Sequence, residues 1–196
     1  MTRRATIERK TNETDIRLEL DLDGTGKVQA STGVGFFDHM LDHLGKHSLC
    51  DLSVQAKGDL HVDDHHTVED VAICLGQAIE QALGDKAGIR RYGFASVPMD
   101  DALAQVSVDL SGRAALAFNA RFTADKIGAF DCQLVEEFLR RLAFTAGMNL
   151  HVNLPYGSND HHIAEAIFKA LAQALRSAKE IDPARKGSVP STKGSL

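Results

Sequence analysis

Apolar and polar residues alternate along "IRLELDL" (16–22) and again along "AQVSVDL" (104–110), a period of two that predicts half-buried strands. Elsewhere the period is helical. Val68, Ala72, Leu75 and Ile79 share one face of "HHTVEDVAICLGQAIEQAL" (65–83), and the spacing returns in "HHIAEAIFKALAQALRSA" (161–178). These two segments align at a constant shift of 96, with Ala78 over Ala174. Upstream, "FDHMLDHLGKHSLCDLSV" (37–54) aligns with "VEEFLRRLAFTAGMNLHV" (135–152) at a shift of 98, each reading as a helix followed by a short strand. "LELDLDG" (18–24) matches "VSVDLSG" (106–112) at a shift of 88.

The chain is therefore one unit written twice, each copy reading as strand, strand, room for a third strand, helix, strand, helix. The fold class that follows is α+β: duplicated βββαβα halves, two sheets, each with its helices on one face. The repeats fall at about 1–92 and 93–181 of a single domain spanning 1–196, with the seam at Gly88–Gly93 and Pro98. Asp64 and Asp160 stand where the caps of the two histidine-led helices belong. The tail, 182–196, is rich in Gly, Ser and Pro and reads as mobile until a ligand orders it.

A length of 196 residues suits one compact core, and a net charge of -5 argues against nucleic acid or an anionic membrane as partner. The start has no apolar run after its arginines, so a cytoplasmic protein is expected. Cys50, Cys74 and Cys132 are odd in number and lie outside any CxxC, which reads as three buried, reduced thiols.

The chemistry concentrates in the histidines. On a helix His65 and His66 lie four and three residues before Glu69, so each shares a face with the carboxylate. Adjacent histidines point about 100° apart and chelate one ion together poorly, which favours two metals or a metal shared with a second chain. One such motif alone would be read as a solvated helix start. Two at equivalent positions, the second being His161, His162 and Glu165, point to ligands. The repeat adds His39, in "FFDHML", over Glu137, in "LVEEFL". The ligand set is His39, His65, His66, Glu69, Glu137, His161, His162 and Glu165. Imidazole with carboxylate suits manganese, iron or zinc, and the absence of thiolates leans to the harder six-coordinate ions. His43 and His47 continue the His39 stripe, as ligands, supporting groups or surface residues.

A phosphorylated substrate would need fixed cations and donors, and the candidates are Arg91, Arg113, Lys169, Ser191 and Lys193. Glu13 in "TNETD" and Asp100 in "PMDDA" read equally as general acid/base groups and as surface charges. Two other classes stay open: a two-metal phosphate-ester hydrolase, and a ferritin-like metal store, which the alternating strands disfavour.

"GVGFFDHMLDHL", "DDHHTVEDVAICLGQAI", "RRYGFASVPMDDALAQVSVDLSGR", "NDHHIAEAIFKALAQALR" and "PSTKG" together resemble imidazoleglycerol-phosphate dehydratase, from about residue 3 to the last residue. The resemblance implies the monofunctional form and dehydration of D-erythro-imidazole glycerol phosphate to imidazole acetol phosphate in histidine biosynthesis. It also implies two Mn²⁺ per subunit, other divalent transition metals serving too, and a metal-bound imidazolate that expels the C3 hydroxyl through a diazafulvene-like intermediate. The implied catalytic residues are Glu13, Asp100, Glu165 and Lys169; the implied substrate contacts are Glu13, His39, His47, Arg91, Arg113, Lys169, Ser191 and Lys193. The implied fold is of the ribosomal protein S5 domain 2-like kind, in a homo-oligomer of 24 subunits with metals at the interfaces. Glu137 departs from the family pattern, which has histidine there.

Overall fold

The computed structural model describes residues 2–194 and 196, so positions 1 and 195 of the expected domain and tail lie outside the described residues. The first half runs β1 (Arg4–Lys10), β2 (Thr14–Asp21), β3 (Val28–Ser31), α1 (Gly35–Ser48), β4 (Asp51–Gly58) and α2 (His65–Leu83). The second runs β5 (Tyr92–Met99), β6 (Ala102–Asp109), β7 (Ala115–Asn119), β8 (Lys126–Ile127), β9 (Phe130–Asp131), α3 (Gln133–Thr145), β10 (Asn149–Tyr156) and α4 (Asp160–Lys179). The sheets have equivalent strand orders, β1-β2-β4-β3 and β5-β6-β10-β7. In each, the last connection is a parallel crossover through a helix, β3 to β4 by α1 and β7 to β10 by α3. The duplicated α+β fold is thus present, with the third strand in both copies.

Alternation does the folding work. On β2 the inward set Thr14, Ile16, Leu18 and Leu20 is buried while Asp15, Arg17 and Glu19 face solvent. β6 repeats this with Ala102, Ala104, Val106 and Val108 inside. Helices cover the inner faces, α2 against β1 and β2, α4 against β5 and β6. The helices then pair across the halves, α1 with α4 and α2 with α3. One continuous hydrophobic core results, running from Ile16 and Leu18 through Phe37, Phe138 and Phe168 to Val106. All three cysteines are buried and free, and burial pushes the Cys74 and Cys132 thiols up to about 11.

Two local expectations are corrected. Pro98 is no seam: it sits inside β5, an edge strand where a missing N–H does no harm, and the turn between the halves precedes Tyr92. Asp160 is not the cap of α4. Asn159 is, accepting from the His161 and His162 backbone N–H groups, while Asp160 has turned inward to bind Thr123 and Ala124. Asp64 does hold the cap position of α2, but without a side-chain capping bond; Asp63 accepts from His65 N at 2.8 Å.

The β8–β9 hairpin was not predicted. β2 starts at Thr14 and β6 at Ala102, an offset of 88, whereas β4 starts at Asp51 and β10 at Asn149, an offset of 98. The extra residues lie between β7 and α3, and the hairpin is what they build. No helix among the described residues is long and apolar enough to cross a membrane.

Candidate active site

The cross-half helix pairing draws the ligand candidates into two groups. In the first, α1 contributes His39 and His43, and α4 contributes His161, Glu165 and Lys169. Glu165 is its centre: its oxygens lie 3.8 Å from His39 Nε2, 3.2 Å from His43 Nε2 and 3.3 Å from His161 Nε2, with Lys169 Nζ at 2.5 Å. His39 and His43 place their Nε2 atoms 3.2 Å apart, and His47 stacks beyond His43. Burial pushes the Glu165 carboxyl pKa up, but Lys169, His43 and His39 together outweigh it and leave it below the ordinary range. Burial also depresses His43, to about 4.

In the second group α2 contributes His65 and Glu69, and α3 contributes Glu137 and Arg141. His65 Nε2 is 3.7 Å from Glu69, and Arg141 Nε reaches both Glu137, at 2.6 Å, and Glu69, at 3.0 Å. The ligand atoms of His39, His43 and Glu165 lie within 4.8 Å of one another, as do those of His65, Glu69 and Glu137. That spacing, from imidazole and carboxylate without thiolate, fits a divalent ion in each group.

The remaining two ligand candidates stand apart. His66 bonds through Nδ1 to Asp59 at 3.0 Å, and His162 through Nδ1 to Asp101 at 2.6 Å. Each Nε2 is left facing a hairpin turn: His66 is 3.7 Å from Glu13 in the β1–β2 turn, His162 3.6 Å from Asp100 in the β5–β6 turn. The equivalent turns of the halves thus bring both suspected acid/base residues beside a candidate ligand histidine. Asp101 also accepts from the Ser158 hydroxyl and from two backbone N–H groups, and this holds its carboxyl far below the carboxylate range.

The β8–β9 hairpin lies between the two groups. Phe130 packs on Phe36, which meets the His161 ring edge-on, while Lys126 and Asp131 line a groove with Asp63, Asp64 and His65.

The candidate phosphate ligands are not gathered in one chain. Lys169 stands in the first group, its Nζ against Met99 Sδ at one end of β5. Arg91 is at the other end, where its backbone N–H donates to Ala178 O, nine residues further along α4 and so about 13 Å away. Its guanidinium is clamped on Asp109 and donates to Pro190 O at 2.8 Å, which fastens the tail. Through a 3₁₀ turn at Pro183–Arg185 and a buried Pro190 the tail packs onto the body of the chain. Arg113, Ser191 and Lys193 lie exposed or half-exposed, with the Arg113 carbonyl bound by Asn149.

Comparison with known proteins decides the family. The sequence model described as Imidazoleglycerol-phosphate dehydratase matches residues 32–175. The chain belongs to the imidazoleglycerol-phosphate dehydratase family. It is 58% identical over 195 residues to the Brucella suis imidazoleglycerol-phosphate dehydratase, covering 100% of this chain and 96% of that one. Among solved structures it is similar to the Staphylococcus aureus enzyme, with a TM-score of 0.84 and 39% identity over 91% of this chain and 99% of that one. The Pyrococcus furiosus enzyme in complex with (S)-C348 gives 0.83 and 37%, over 97% and 100%. This dehydratase is accordingly a hydro-lyase of histidine biosynthesis, which sets aside the hydrolase and metal-store readings.

Three residues at the site, Arg141, Asp59 and Asp101, lay outside the expectations, and His43 was expected only as a continuation of the His39 stripe. His43 and Arg141 had a usable signal, each four residues after a candidate ligand on the same helix. Asp59 and Asp101 had none, because the histidines they hold are 7 and 61 residues away.

Proposed function

We propose that this dehydratase converts D-erythro-imidazole glycerol phosphate to imidazole acetol phosphate using two divalent ions per subunit, Mn²⁺ in the first instance. His39, His161 and Glu165 would hold one ion, with His43 beside them, and His65, Glu69 and Glu137 the other. Such an ion, when bound, supplies Lewis-acid polarisation of the substrate imidazole.

The observation carrying this reading is that duplicated helices bring equivalent imidazole–carboxylate groups together twice. The rest concerns the chain's own side chains. Loss of the C3 hydroxyl from the ionised ring, by way of a diazafulvene-like species, needs a group to take the C2 proton and one to protonate the leaving oxygen. Glu13, Asp100 and Glu165 are the acids and bases at hand. Lys169 keeps Glu165 ionised and offers a cation to the substrate phosphate.

His66 and His162 are each held by an aspartate so that Nε2 is free to serve a metal of a neighbouring chain. Arg91, Arg113, Ser191 and Lys193, remote from Lys169 in one chain, would meet it across the same interface in a homo-oligomer, proposed at 24 subunits. His47 and His39 would border the substrate on α1.

The test uses metal-stripped protein given imidazole glycerol phosphate with and without Mn²⁺, with imidazole acetol phosphate and free phosphate assayed together. Ketone formed only with metal and without phosphate release is the expected result. Ketone formed equally without metal would overturn the metal reading, and phosphate release would overturn the dehydration chemistry.

A further inference from the structure

The two ligand groups are not chemical copies. Glu165 is the single carboxylate of the first, among three imidazoles, and its cation is Lys169 from its own helix. The second holds two carboxylates, Glu69 and Glu137, and one imidazole, His65, within the same spacing. Two carboxylates at this range repel unless a cation stands between them.

That cation is Arg141. Its Nε–H donates to Glu137 Oε1 at 2.6 Å, and Glu69 Oε1 lies 3.0 Å from the same nitrogen as an ion pair, so the guanidinium links α3 to α2 through the two carboxylates that would help to hold a metal. Arg141 stands four residues after Glu137 as His43 stands four after His39; where the first group places another imidazole, the second places a permanent charge. The side chain is 44% exposed, so it can swing into solvent without opening the core.

We propose that Arg141 is a resident counter-cation of the second group. It holds Glu69 and Glu137 in register while no ion is bound, must be displaced when one binds, and so makes the second site the weaker of the two. The glutamate at 137 is what creates the need for it. The proposal rests on the metal-binding reading above, and it concerns the order in which the sites fill.

The experiment titrates Mn²⁺ into metal-stripped full-length protein and follows free Mn²⁺ by electron paramagnetic resonance, for the unsubstituted chain, Arg141→Gln and Arg141→Lys. Two classes of site are expected in the unsubstituted chain. In Arg141→Gln the weaker class should tighten by about tenfold, the scale of one charge-assisted hydrogen bond. The stronger class should not move. Arg141→Lys, whose ammonium keeps the charge but not the fork, should tighten less. Unchanged or weaker binding in Arg141→Gln, alongside normal binding by the unsubstituted chain, would overturn the role given to Arg141. No binding by the unsubstituted chain would overturn the metal reading and this inference with it.

Discussion

Gly93 is where the scaffold under the first ligand group can be tested by one methyl group. It lies on β5 facing α4, and a Cβ there would sit 1.8 Å from the Ala174 carbonyl oxygen, 2.8 Å from its carbon and 3.0 Å from Ala178 N. All three are helix backbone, so no side chain can rotate away. Restoring ordinary contact needs roughly 1.5 Å of separation between strand and helix across a fully packed core. Overpacking costs about 1–3 kcal/mol where side chains can yield, so Gly93→Ala is placed at about 3 kcal/mol or more. At this chain length that lowers the melting temperature by roughly 6–12 °C. The assay is urea and thermal unfolding of metal-stripped protein. Gly35→Ala is the control, at the first position of α1 with nothing within 4 Å of its Cβ. It should be neutral or stabilise by up to about 1 kcal/mol through helix propensity. Since α4 carries His161, Glu165 and Lys169, Gly93→Ala should also weaken Mn²⁺ binding. A Gly93→Ala protein within about 1 kcal/mol of the unsubstituted one would refute the close-packing argument.

Three further outcomes follow from the site. Because burial depresses His43 to about 4 in the folded chain, the unfolded chain binds more protons between pH 6.5 and 4, and metal-free stability should fall as pH falls through that window. His43→Gln should flatten that part of a urea-midpoint profile, and an unaltered slope would place the titration elsewhere. Glu165, with its pKa also below the ordinary value, acts in the same sense at lower pH, its contribution being present above about 4.5 and lost as pH falls below it. Asp101→Asn leaves His162 Nδ1 without its anionic acceptor and should reduce Mn²⁺ affinity by about 10- to 100-fold with the far-UV spectrum unchanged, equilibrium dialysis being the check. Lys193→Ala should raise KM with kcat altered by less than about twofold, the pattern of lost uniform binding, and unchanged steady-state kinetics would remove the tail from the site.

What could be read from the chain in advance was whatever the repeat made redundant. Strands β2 and β6, helices α2 and α4, and the pairing of His39 with Glu137 each appear twice, and two weak signals at matched positions do not fail independently. The capping of α4 was missed because Asn159 and Asp160 are equally good cap residues side by side, and only the Thr123–Ala124 backbone decides which turns inward. The β8–β9 hairpin has two-residue strands, too short for any periodicity, although the change of offset from 88 to 98 marked where added chain had to go. The Asp101–His162 bond and the docking of Pro190 on Arg91 are long-range contacts, which local pattern does not encode, and the Asp59–His66 bond closes a loop without periodicity of its own.

The crossing of the helices explains why the motif had to occur twice in one chain. His39 belongs to the first half and its companions His161 and Glu165 to the second; Glu137 belongs to the second and its companions His65 and Glu69 to the first. Neither half contains a complete group, because α1 packs on α4 and α3 on α2, so a single βββαβα unit would present only half of each. Once both copies share a chain, however, their residues are free to diverge without losing the pairing. Glu137 opposite His39, Arg141 opposite His43, and Lys169 opposite Ile73 are such divergences, each altering the charge of one group while leaving the packing of the helices beneath it alone. A duplicated fold of this kind provides two side-chain groups of one geometry and two chemistries, which is the arrangement that two ions would need to do different work on one substrate.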